Sequence, residues 1–442
     1  MPEIHVPWGD GEMAVAISDD WTLLPPAEPN LRPAAADWRQ RLAAALNQPV
    51  AGDSLAERLR RVGKGRISII VEDMTRHSPL EEILSVVLRE VRHAGVLEEQ
   101  MEIVFACGMH PPMTEDEANG KLGEAIGNIR WRHNPWDDIG RYAHLGRVGK
   151  VNVLIDRGVV DSDLRILIAS VSPHLQAGFG GGYKMYFPGC GEISSIRHLH
   201  RAGIRRRGQN QLVGLDPERN PMRRVIDRAG ALVDAAHGET FSVQYLLDAD
   251  DLPVSIAAGD PVSTHRMLTK TCGNACGVIQ ESPADIVVTN AHPRDHDLWQ
   301  CFKAIPNTCW AAREGGVVIC LARCPAGLNE MKTMSWPLSA AWTRRVVRLL
   351  GPHTICSIMD RLVKQLAGDS QWFIRLATQI LQRNHLMMVS PTLVEQGVEF
   401  PGIAMFATVD EALAAAGKVL GGGVQRVAVY PAGGASYPII RG

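Results

Sequence analysis

The residues of this chain best suited to chemistry are three histidines and a lysine: His110, His174, Lys184 and His200. Imidazole transfers protons near neutral pH and, when neutral, binds nickel or zinc. A lysine amine can neutralise a phosphate or bond covalently to a carbonyl or acyl group of a cofactor. Any one of these histidines alone would be interpreted as a hydrogen-bonded loop or core residue. Three of them together with Lys184 favour a catalytic or cofactor site.

Lys184 follows a glycine-rich segment, residues 178–182 (GFGGG). Because glycine has no side chain, the N–H groups of Gly180, Gly181 and Gly182 can approach a phosphate closely. Glycine clusters more often form plain loops, but a lysine two residues further on favours an anion site. The spacing Gly-x-x-x-x-Gly-Lys-Ser/Thr is not matched, so an ATPase is disfavoured.

Asp73, Thr75 and Arg76 follow a predicted buried strand directly. Arg76 can make a paired contact with a carboxylate or phosphate, and Asp73 can accept hydrogen bonds from ribose hydroxyls. A structural helix cap with a surface ion pair is the alternative. These residues are therefore candidates for cofactor binding at the same rim as the glycine segment.

A second polar set lies later in the chain, where Gln300 and Lys303 are three residues apart and Trp299 is adjacent. On a helix this spacing places the amide and the ammonium on one face. That pair suits a small anionic substrate, although a solvated helix face is the commoner outcome. In the segment 192–204, Ile193, Ile196 and His200 share a helix face, so His200 should point inward and His198 elsewhere.

The elements that position these residues alternate between strands and helices, which predicts an α/β fold with parallel sheets covered by helices. Ile67 to Val71, Met101 to Ala106 and Leu164 to Val171 have the apolar runs of buried strands. The periodicity of Leu80 to Ala94 predicts an amphipathic helix, and Thr114 with Glu117 predicts a capping box. The candidate residues follow the strands, where open α/β sheets bind ligands.

Two domains are expected for 442 residues. We predict a cofactor-binding α/β domain over residues 1–282, joined by 423–442, and a second α/β domain over 283–422. The second domain starts near the strand at Ala284 and includes the helix Val409 to Leu420. The strand Arg426 to Gly433 is expected to return to the first domain.

Charge and hydropathy exclude several functions. The 46 Lys and Arg against 48 Asp and Glu give a net charge of −2, so no field gathers nucleic acid or anionic lipid. No apolar run approaches the ~18 residues of a membrane span, and the amino terminus does not resemble a secretory leader. We therefore expect a cytoplasmic protein with no membrane partner. Arg205 to Arg207 are interpreted as a solvated helix end rather than a phosphate site.

Beyond these patterns, the chain resembles the nickel-dependent lactate racemase family of 2-hydroxyacid racemases and epimerases over nearly its whole length. The resemblance is carried by ordered motifs: EDMTR (72–76), GMHPPMT (108–114), SPHLQAGFGGGYK (172–184), PG (188–189), His200, GDPVSTHR (259–266) and NAHPRDHDLWQCFK (290–303). It implies two α/β domains with an active site at their interface.

The resemblance also implies a cofactor, the nickel-pincer nucleotide (nickel pyridinium-3,5-bisthiocarboxylic acid mononucleotide), and maturation enzymes that supply it. Lys184 matches the lysine that joins one thiocarboxylate arm, and His200 matches the protein ligand of nickel. His110 and His174 match the two acid/base residues. The matched nucleotide and substrate contacts are Asp73, Thr75, Arg76, Gly180, Gly181, Gly182, Trp299, Gln300 and Lys303.

Departures from the family pattern leave the substrate side chain open. Pro111 stands where many relatives have arginine, Gly180 where serine is common, and Trp299 where tyrosine is common. An epimerase of a hydroxy acid larger than lactate is therefore equally admissible. Two other functions also remain open at this point, an NAD-dependent hydroxyacid dehydrogenase and a non-catalytic nucleotide-binding protein.

Overall fold

A computed structural model describes residues 2–134, 138–203, 211–328, 337–362 and 371–441. Arg205 to Arg207 lie outside the described residues. Within these ranges the strands are β1 Glu3–Trp8, β2 Gly11–Ala16, β3 Thr22–Leu23, β4 Ile67–Val71, β5 Met101–Phe105, β6 Arg130–His133, β7 Tyr142–Val148, β8 Val151–Asp156, β9 Leu164–Ser170, β10 Pro173–His174, β11 Gly178–Phe179, β12 Glu239–Leu247, β13 Pro253–Gly259, β14 Gly277–Gln280, β15 Ala284–Asn290, β16 Ala312–Leu321, β17 His385–Val389, β18 Ile403–Phe406, β19 Arg426–Tyr430 and β20 Tyr437–Ile440.

The α-helices in the same described ranges are α1 Trp38–Asn47, α2 Leu55–Val62, α3 Leu80–His93, α4 Glu115–Leu122, α5 Arg157–Val160, α6 Ile193–Gly203, α7 Pro221–Ala236, α8 Pro261–Cys276, α9 Leu298–Cys301, α10 Ala304–Thr308, α11 Ala340–Leu362, α12 Gln371–Arg383, α13 Pro391–Glu395 and α14 Val409–Val419. The predicted capping box is confirmed at α4, where the Thr114 hydroxyl accepts from the Glu117 amide and Glu117 accepts from the Thr114 amide. None of the helices in the described part combines the length and apolarity that crossing a bilayer requires.

The chain divides into two compact units. The N-terminal unit consists of Leu31–Gly203 and Leu215–Ala275, and the C-terminal unit of Met1–Asn30, Ile204–Gly214 and Cys276–Gly442. Each unit contains one six-stranded, mainly parallel sheet with helices packed against it, so the predicted α/β class is confirmed.

The sheet of the N-terminal unit has the strand order β13-β12-β9-β4-β5-β6, with β13 antiparallel and the others parallel. Alternate residues of a strand point to opposite faces. Accordingly Ile67, Ile69 and Val71 pack in one core and Ile70 in the other. Because β9, β4 and β5 are parallel neighbours, their carboxyl ends lie at one edge, which places the loops carrying Asp73, His110 and His174 side by side.

The sheet of the C-terminal unit has the order β18-β17-β16-β15-β19-β3 and is parallel throughout. The expectation that residues 423–442 join the first domain is wrong, because β19 pairs with β15 in this sheet. Residues 1–30, which the sequence analysis assigns to the first domain, group with the C-terminal unit in the structure, since β3 pairs with β19. An apolar run such as β19 predicts a buried strand but does not specify its partner.

Candidate active site

His110 is held by a buried carboxylate at the carboxyl edge of the N-terminal sheet. The Nδ1 atom of His110 lies 2.5 Å from Oδ2 of Asp73, which is only 6% exposed. The other oxygen of Asp73 accepts hydrogen bonds from the amide and the hydroxyl of Thr75, at 3.0 and 2.6 Å. An ionised carboxylate only accepts, so Nδ1 of His110 carries the proton and Nε2 presents its lone pair.

The charge state of Asp73 follows from these contacts. Burial by itself raises the pKa of this carboxyl, but the hydrogen bond and charge of His110, the charge of Arg76 and the Thr75 hydroxyl outweigh it, and the pKa lies well below its usual value. Asp73 is therefore ionised at neutral pH. The expected contact with a ribose hydroxyl stays a prediction, because both oxygens already accept protein donors.

Arg76 is anchored through its backbone and its side chain. Its Nη1 atom donates to the carbonyl and the hydroxyl of Thr75, both at 3.1 Å. Its carbonyl accepts from Nζ of Lys121 at 2.7 Å. Burial lowers the pKa of Lys121, while the carboxylates of Glu72 and Asp73 act in the opposite direction. Lys121 therefore adds a second basic group beside Arg76.

Glu72 joins the Asp73 loop to the end of β9. Its Oε1 atom accepts from the amide and the hydroxyl of Ser170, at 2.8 and 2.6 Å. Its Oε2 atom accepts from the hydroxyls of Ser78 and Tyr245, at 3.0 and 3.1 Å. Four donors on one buried carboxylate satisfy the charge and hold the loop in place.

His174 has the opposite hydrogen-bonding arrangement from His110. It lies in a short hairpin in which β10 pairs with β11. Its Nδ1 atom accepts from the amides of Gln176 and Ala177, at 3.2 and 3.1 Å. An atom that accepts carries no proton, so the neutral ring of His174 has its proton on Nε2.

Three of the predicted site residues, Lys184, Arg76 and His200, lie near enough to His174 to act on its charge. Burial lowers the pKa of His174 well below its usual value, and positive charge on Lys184, Arg76, His200 and Arg223 lowers it further. These four groups are all basic. Arg223 is buried and the other three are half-buried. A cluster of basic groups with little solvent around it suits an anionic ligand such as a phosphate or carboxylate.

Two amides of the glycine segment donate hydrogen bonds within the protein, so not all of its amides are available to a ligand. The amide of Gly180 donates to the carbonyl of Ser172, and that of Gly182 donates to Oε1 of Gln244, both at 2.8 Å. The expectation that these two amides surround a phosphate is not met in this arrangement. Gly181 has φ +74°, and a Cβ there would come within 2.8 Å of Gln244 and of Val171.

Lys184 lies in the 3₁₀ turn Gly182–Met185. Its carbonyl accepts from the amide of Gly189 at 3.0 Å, and the carbonyl of Gly189 accepts from the amide of Gly108 at 2.8 Å. Two backbone hydrogen bonds therefore connect the Lys184 turn to the loop of His110.

His200 lies on α6 as predicted. Its carbonyl accepts from Nε2 of Gln176 at 3.4 Å, which connects it to the His174 hairpin. His198 is exposed and its Nδ1 donates to the Ser194 carbonyl at 2.7 Å, so the expectation that it points elsewhere is confirmed. Among the described residues, no three His, Cys, Asp or Glu side chains gather as a metal site.

The other predicted substrate contacts belong to the C-terminal unit. Gln300 lies in α9, which follows β15 and is capped by Asp297, whose Oδ1 accepts from the Gln300 amide at 2.9 Å. Nζ of Lys303 donates to Oε1 of Gln300 at 2.5 Å, so the amide and the ammonium share a face as expected. Trp299 is 40% exposed.

Two family models match this chain. The lactate racemase N-terminal domain matches residues 8–211, and the lactate racemase C-terminal domain matches residues 279–436. The chain belongs to the lactate racemase family. As a member of this family it is an isomerase of the racemase type, and an NAD-dependent dehydrogenase is not favoured.

Two curated lactate racemases resemble this member of the lactate racemase family over most of their length. The protein of Thermoanaerobacterium thermosaccharolyticum is 24% identical over 404 residues, which is 88% of each chain. The protein of Lactiplantibacillus plantarum is 23% identical over 384 residues, 83% of each chain.

Two solved structures share the fold. The lactate racemase apoprotein of Thermoanaerobacterium thermosaccharolyticum has a TM-score of 0.82 at 21% identity and covers 99% of this chain and 100% of its own. A Thermotoga maritima protein has a TM-score of 0.63 at 15% identity, with 91% and 98% covered.

Sequence reasoning missed several residues of this racemase-family site. They hold the loops, and all but the half-buried Lys121 are buried: Glu72, Lys121, Arg223, Gln244 and His265. One signal was present for Arg223, because it lies three residues before the buried Ile226 and so on the inner face of α7. The others make contacts distant in sequence, which no local pattern indicates.

Proposed function

We propose that this racemase-family protein inverts C2 of a 2-hydroxycarboxylic acid. The observation that carries the proposal is the cluster of His110, His174, Lys184 and His200 beside Arg76 at one sheet edge. Both curated relatives are named lactate racemases, so lactate is the first substrate to test. Pro111 and Trp299 depart from the family pattern and favour including larger hydroxy acids.

The nickel-pincer nucleotide fits the described residues. Its phosphate and carboxylate groups suit the basic surroundings of His174, Lys184 would provide the covalent attachment, and His200 would bind nickel. When bound, the nucleotide supplies an acceptor for the C2 hydride, because an α-hydrogen of a hydroxycarboxylate is too weakly acidic for imidazole to remove as a proton. Such chemistry would allow inversion if the keto acid that it produces turned over within the site.

His110 is the residue prepared to accept the substrate hydroxyl proton. Its Nε2 atom has a lone pair because Asp73 binds the proton of Nδ1. When Nε2 takes a proton, the ring becomes a cation next to the ionised Asp73, which stabilises the charge. The same atom can return that proton to the substrate oxygen when C2 is reduced again.

His174 is proposed as the base for the opposite configuration. To accept a proton at Nε2 it must first hold its other proton at Nδ1, where the amides of Gln176 and Ala177 now donate. A turn of the ring is therefore part of the proposal. In the structure as described, His174 instead offers Nε2–H as a donor to a substrate oxygen. Arg76, Gln300 and Lys303 are proposed to bind the substrate carboxylate. The expectation of a site between the domains stays a prediction.

The test is to produce the chain with cofactor-maturation enzymes and to incubate it with single enantiomers of lactate and larger 2-hydroxy acids. We expect loss of optical purity without reduction of added NAD, about one nickel per chain, and a mass increase on the peptide that contains Lys184. Reduction of NAD without inversion would favour a dehydrogenase. No inversion of any substrate by nickel-loaded protein would refute the proposal.

A further inference from the structure

A buried arginine donates hydrogen bonds to backbone carbonyls of the glycine segment. The guanidinium of Arg223, in α7, donates to the carbonyls of Phe179, Gly180 and Gly181, with the last at 3.1 Å. The carbonyl of Gly180 also accepts from Nε2 of His265 at 2.9 Å. Arg223 is 0% exposed. Side-chain donors therefore fix three consecutive carbonyls that precede Lys184.

The start of α7 also holds the other end of this segment. Asn220 caps α7, accepting from the Arg223 amide at 2.9 Å, and its side-chain amide donates to the carbonyl of Gln176 at 2.9 Å. Gln176 in turn donates its amide to His174. One helix terminus thus fixes the chain from the His174 hairpin to Gly181.

Polar contacts among Asp227, Arg266 and His265 support this guanidinium. Asp227 lies 3.7 Å from Arg223 and 2.5 Å from Nη2 of Arg266. Nη1 of Arg266 donates to Nδ1 of His265 at 3.0 Å, which directs the Nε2–H of His265 toward Gly180. Burial lowers the pKa of Arg223 to about 10, and the guanidinium remains charged at neutral pH.

Burial alone does not distinguish Arg223, because Arg165 is buried just as completely. Arg165 donates to the carbonyls of Val160, Ser162 and His237, at 3.0, 3.1 and 2.7 Å. It lies at the start of β9, however, whereas the glycine segment follows the end of β9. The two arginines make the same kind of contact at opposite ends of one strand.

We propose that Arg223, supported by His265, is a positioning residue of the Lys184 loop, setting where the lysine amine lies by fixing the carbonyls of residues 179–181. Gly181 and Gly182 have φ of +74° and +63° and, without side chains, have many alternative conformations. Directional donors on three carbonyls select one of these conformations. Only the role of Lys184 as attachment point rests on the proposed function.

The first test uses the apoprotein and hydrogen–deuterium exchange. In Arg223→Met we expect the amides of residues 178–189 to exchange at least about tenfold faster, while strand β12 stays protected. Nε of Arg165 also donates to the hydroxyl of Tyr186 at 3.0 Å. In the matched Arg165→Met variant we therefore expect faster exchange near residues 160–164 and near Tyr186, and no change at 178–182. Arg223→Lys, which keeps the charge and some donors, should restore part of the protection. If Arg223→Met is insoluble, Arg223→Lys and His265→Leu are judged by the same two segments.

The second test measures the fraction of folded chains that carry a Lys184 adduct after co-expression with maturation enzymes. We expect at least about a fivefold lower fraction in Arg223→Met, partial rescue in Arg223→Lys, and a parental fraction in Arg165→Met. Equal effects of the two arginine variants on both readouts would overturn the proposal. An adduct missing even from the parent, with loop exchange altered as expected, would refute the proposed cofactor and not the positioning role.

Discussion

The loops that carry His110 and His174 follow strands on either side of β4. The hydrogen bonds that they make to the Nδ1 atom of the histidine are nevertheless opposite in direction. At His110 an ionised carboxylate accepts a hydrogen bond from Nδ1–H, and at His174 two backbone amides donate to Nδ1. The first ring therefore presents a lone pair at Nε2 and the second presents an N–H. Two histidines that look equivalent in sequence therefore suit different proton-transfer roles in the proposed reaction.

The charged groups around His110 and around His174 also differ in sign. His110 is paired with Asp73, whereas the charged groups that act on His174 are Lys184, Arg76, His200 and Arg223. A carboxylate stabilises an imidazolium, and a ring of cations opposes one. The cations around His174 therefore disfavour its imidazolium form, whereas an ionised carboxylate lies beside the ring of His110.

The largest effect is expected from Asp73→Asn. The carboxamide no longer compensates an imidazolium and can donate to Nδ1, which would move the ring proton to Nε2. We expect kcat for racemisation to fall about 10²–10⁴-fold with nickel content unchanged. Chiral chromatography of initial rates measures this.

A second Asp–His pair in the same unit provides the control. Nε2 of His237 lies 3.0 Å from Oδ1 of Asp163, and both side chains are largely exposed. Asp163→Asn should change kcat by less than about twofold. If Asp73→Asn keeps most of its kcat, or matches Asp163→Asn, the contrast between the two histidines has no catalytic meaning.

A smaller effect, on stability, is expected at the carboxylate that joins the two loops. Glu72→Ala leaves the amide and hydroxyl of Ser170 and two further hydroxyls without their acceptor. We expect the free energy of unfolding of the N-terminal unit to fall by about 2–4 kcal/mol. Exchange rates of the most protected β9 amides report this quantity. Glu117→Ala, which removes only an exposed capping contact, should cost about 1 kcal/mol or less. Equal costs would mean that Glu72 does not hold the loops together.

The parts of this arrangement that sequence could predict are local. Apolar runs predicted β4, β5 and β9, and the Thr114–Glu117 spacing predicted the start of α4, because strand burial and capping depend on residues a few positions apart. Parallel pairing then placed the loops at one edge. The tautomers could not be predicted, since they depend on whether Nδ1 meets Asp73, 37 residues away, or the amides of its own turn. Arg223 meets carbonyls 42 to 44 residues earlier in the chain.

The smallest expected effect is on the pH dependence of the free energy of unfolding, to which His174 and Asp73 contribute in different pH ranges. The pKa of His174 lies well below its usual 6.5 in the folded protein, so below pH 6.5 the unfolded chain binds a proton that the folded chain does not. The free energy of unfolding must then decrease as pH falls, by at most about 1.4 kcal/mol per pH unit for this one proton. The pKa of Asp73 is also lowered, from 3.8, so its contribution has the same sign but is lost only below about pH 4.

The pH ranges in which His174 and Asp73 affect stability can be measured separately. His174→Gln should reduce the slope of unfolding free energy against pH between about pH 4 and 6.5 by up to one proton. It should not abolish the slope, because burial and the charges of Arg223 and Arg266 also hold the pKa of His265 well below 6.5. Asp73→Asn should flatten the curve below about pH 4, where the contribution of the Asp73 carboxylate is lost. A His174→Gln protein with the parental slope would show that folding does not lower the pKa of His174, and the electrostatic contrast between the two histidine loops would then fail.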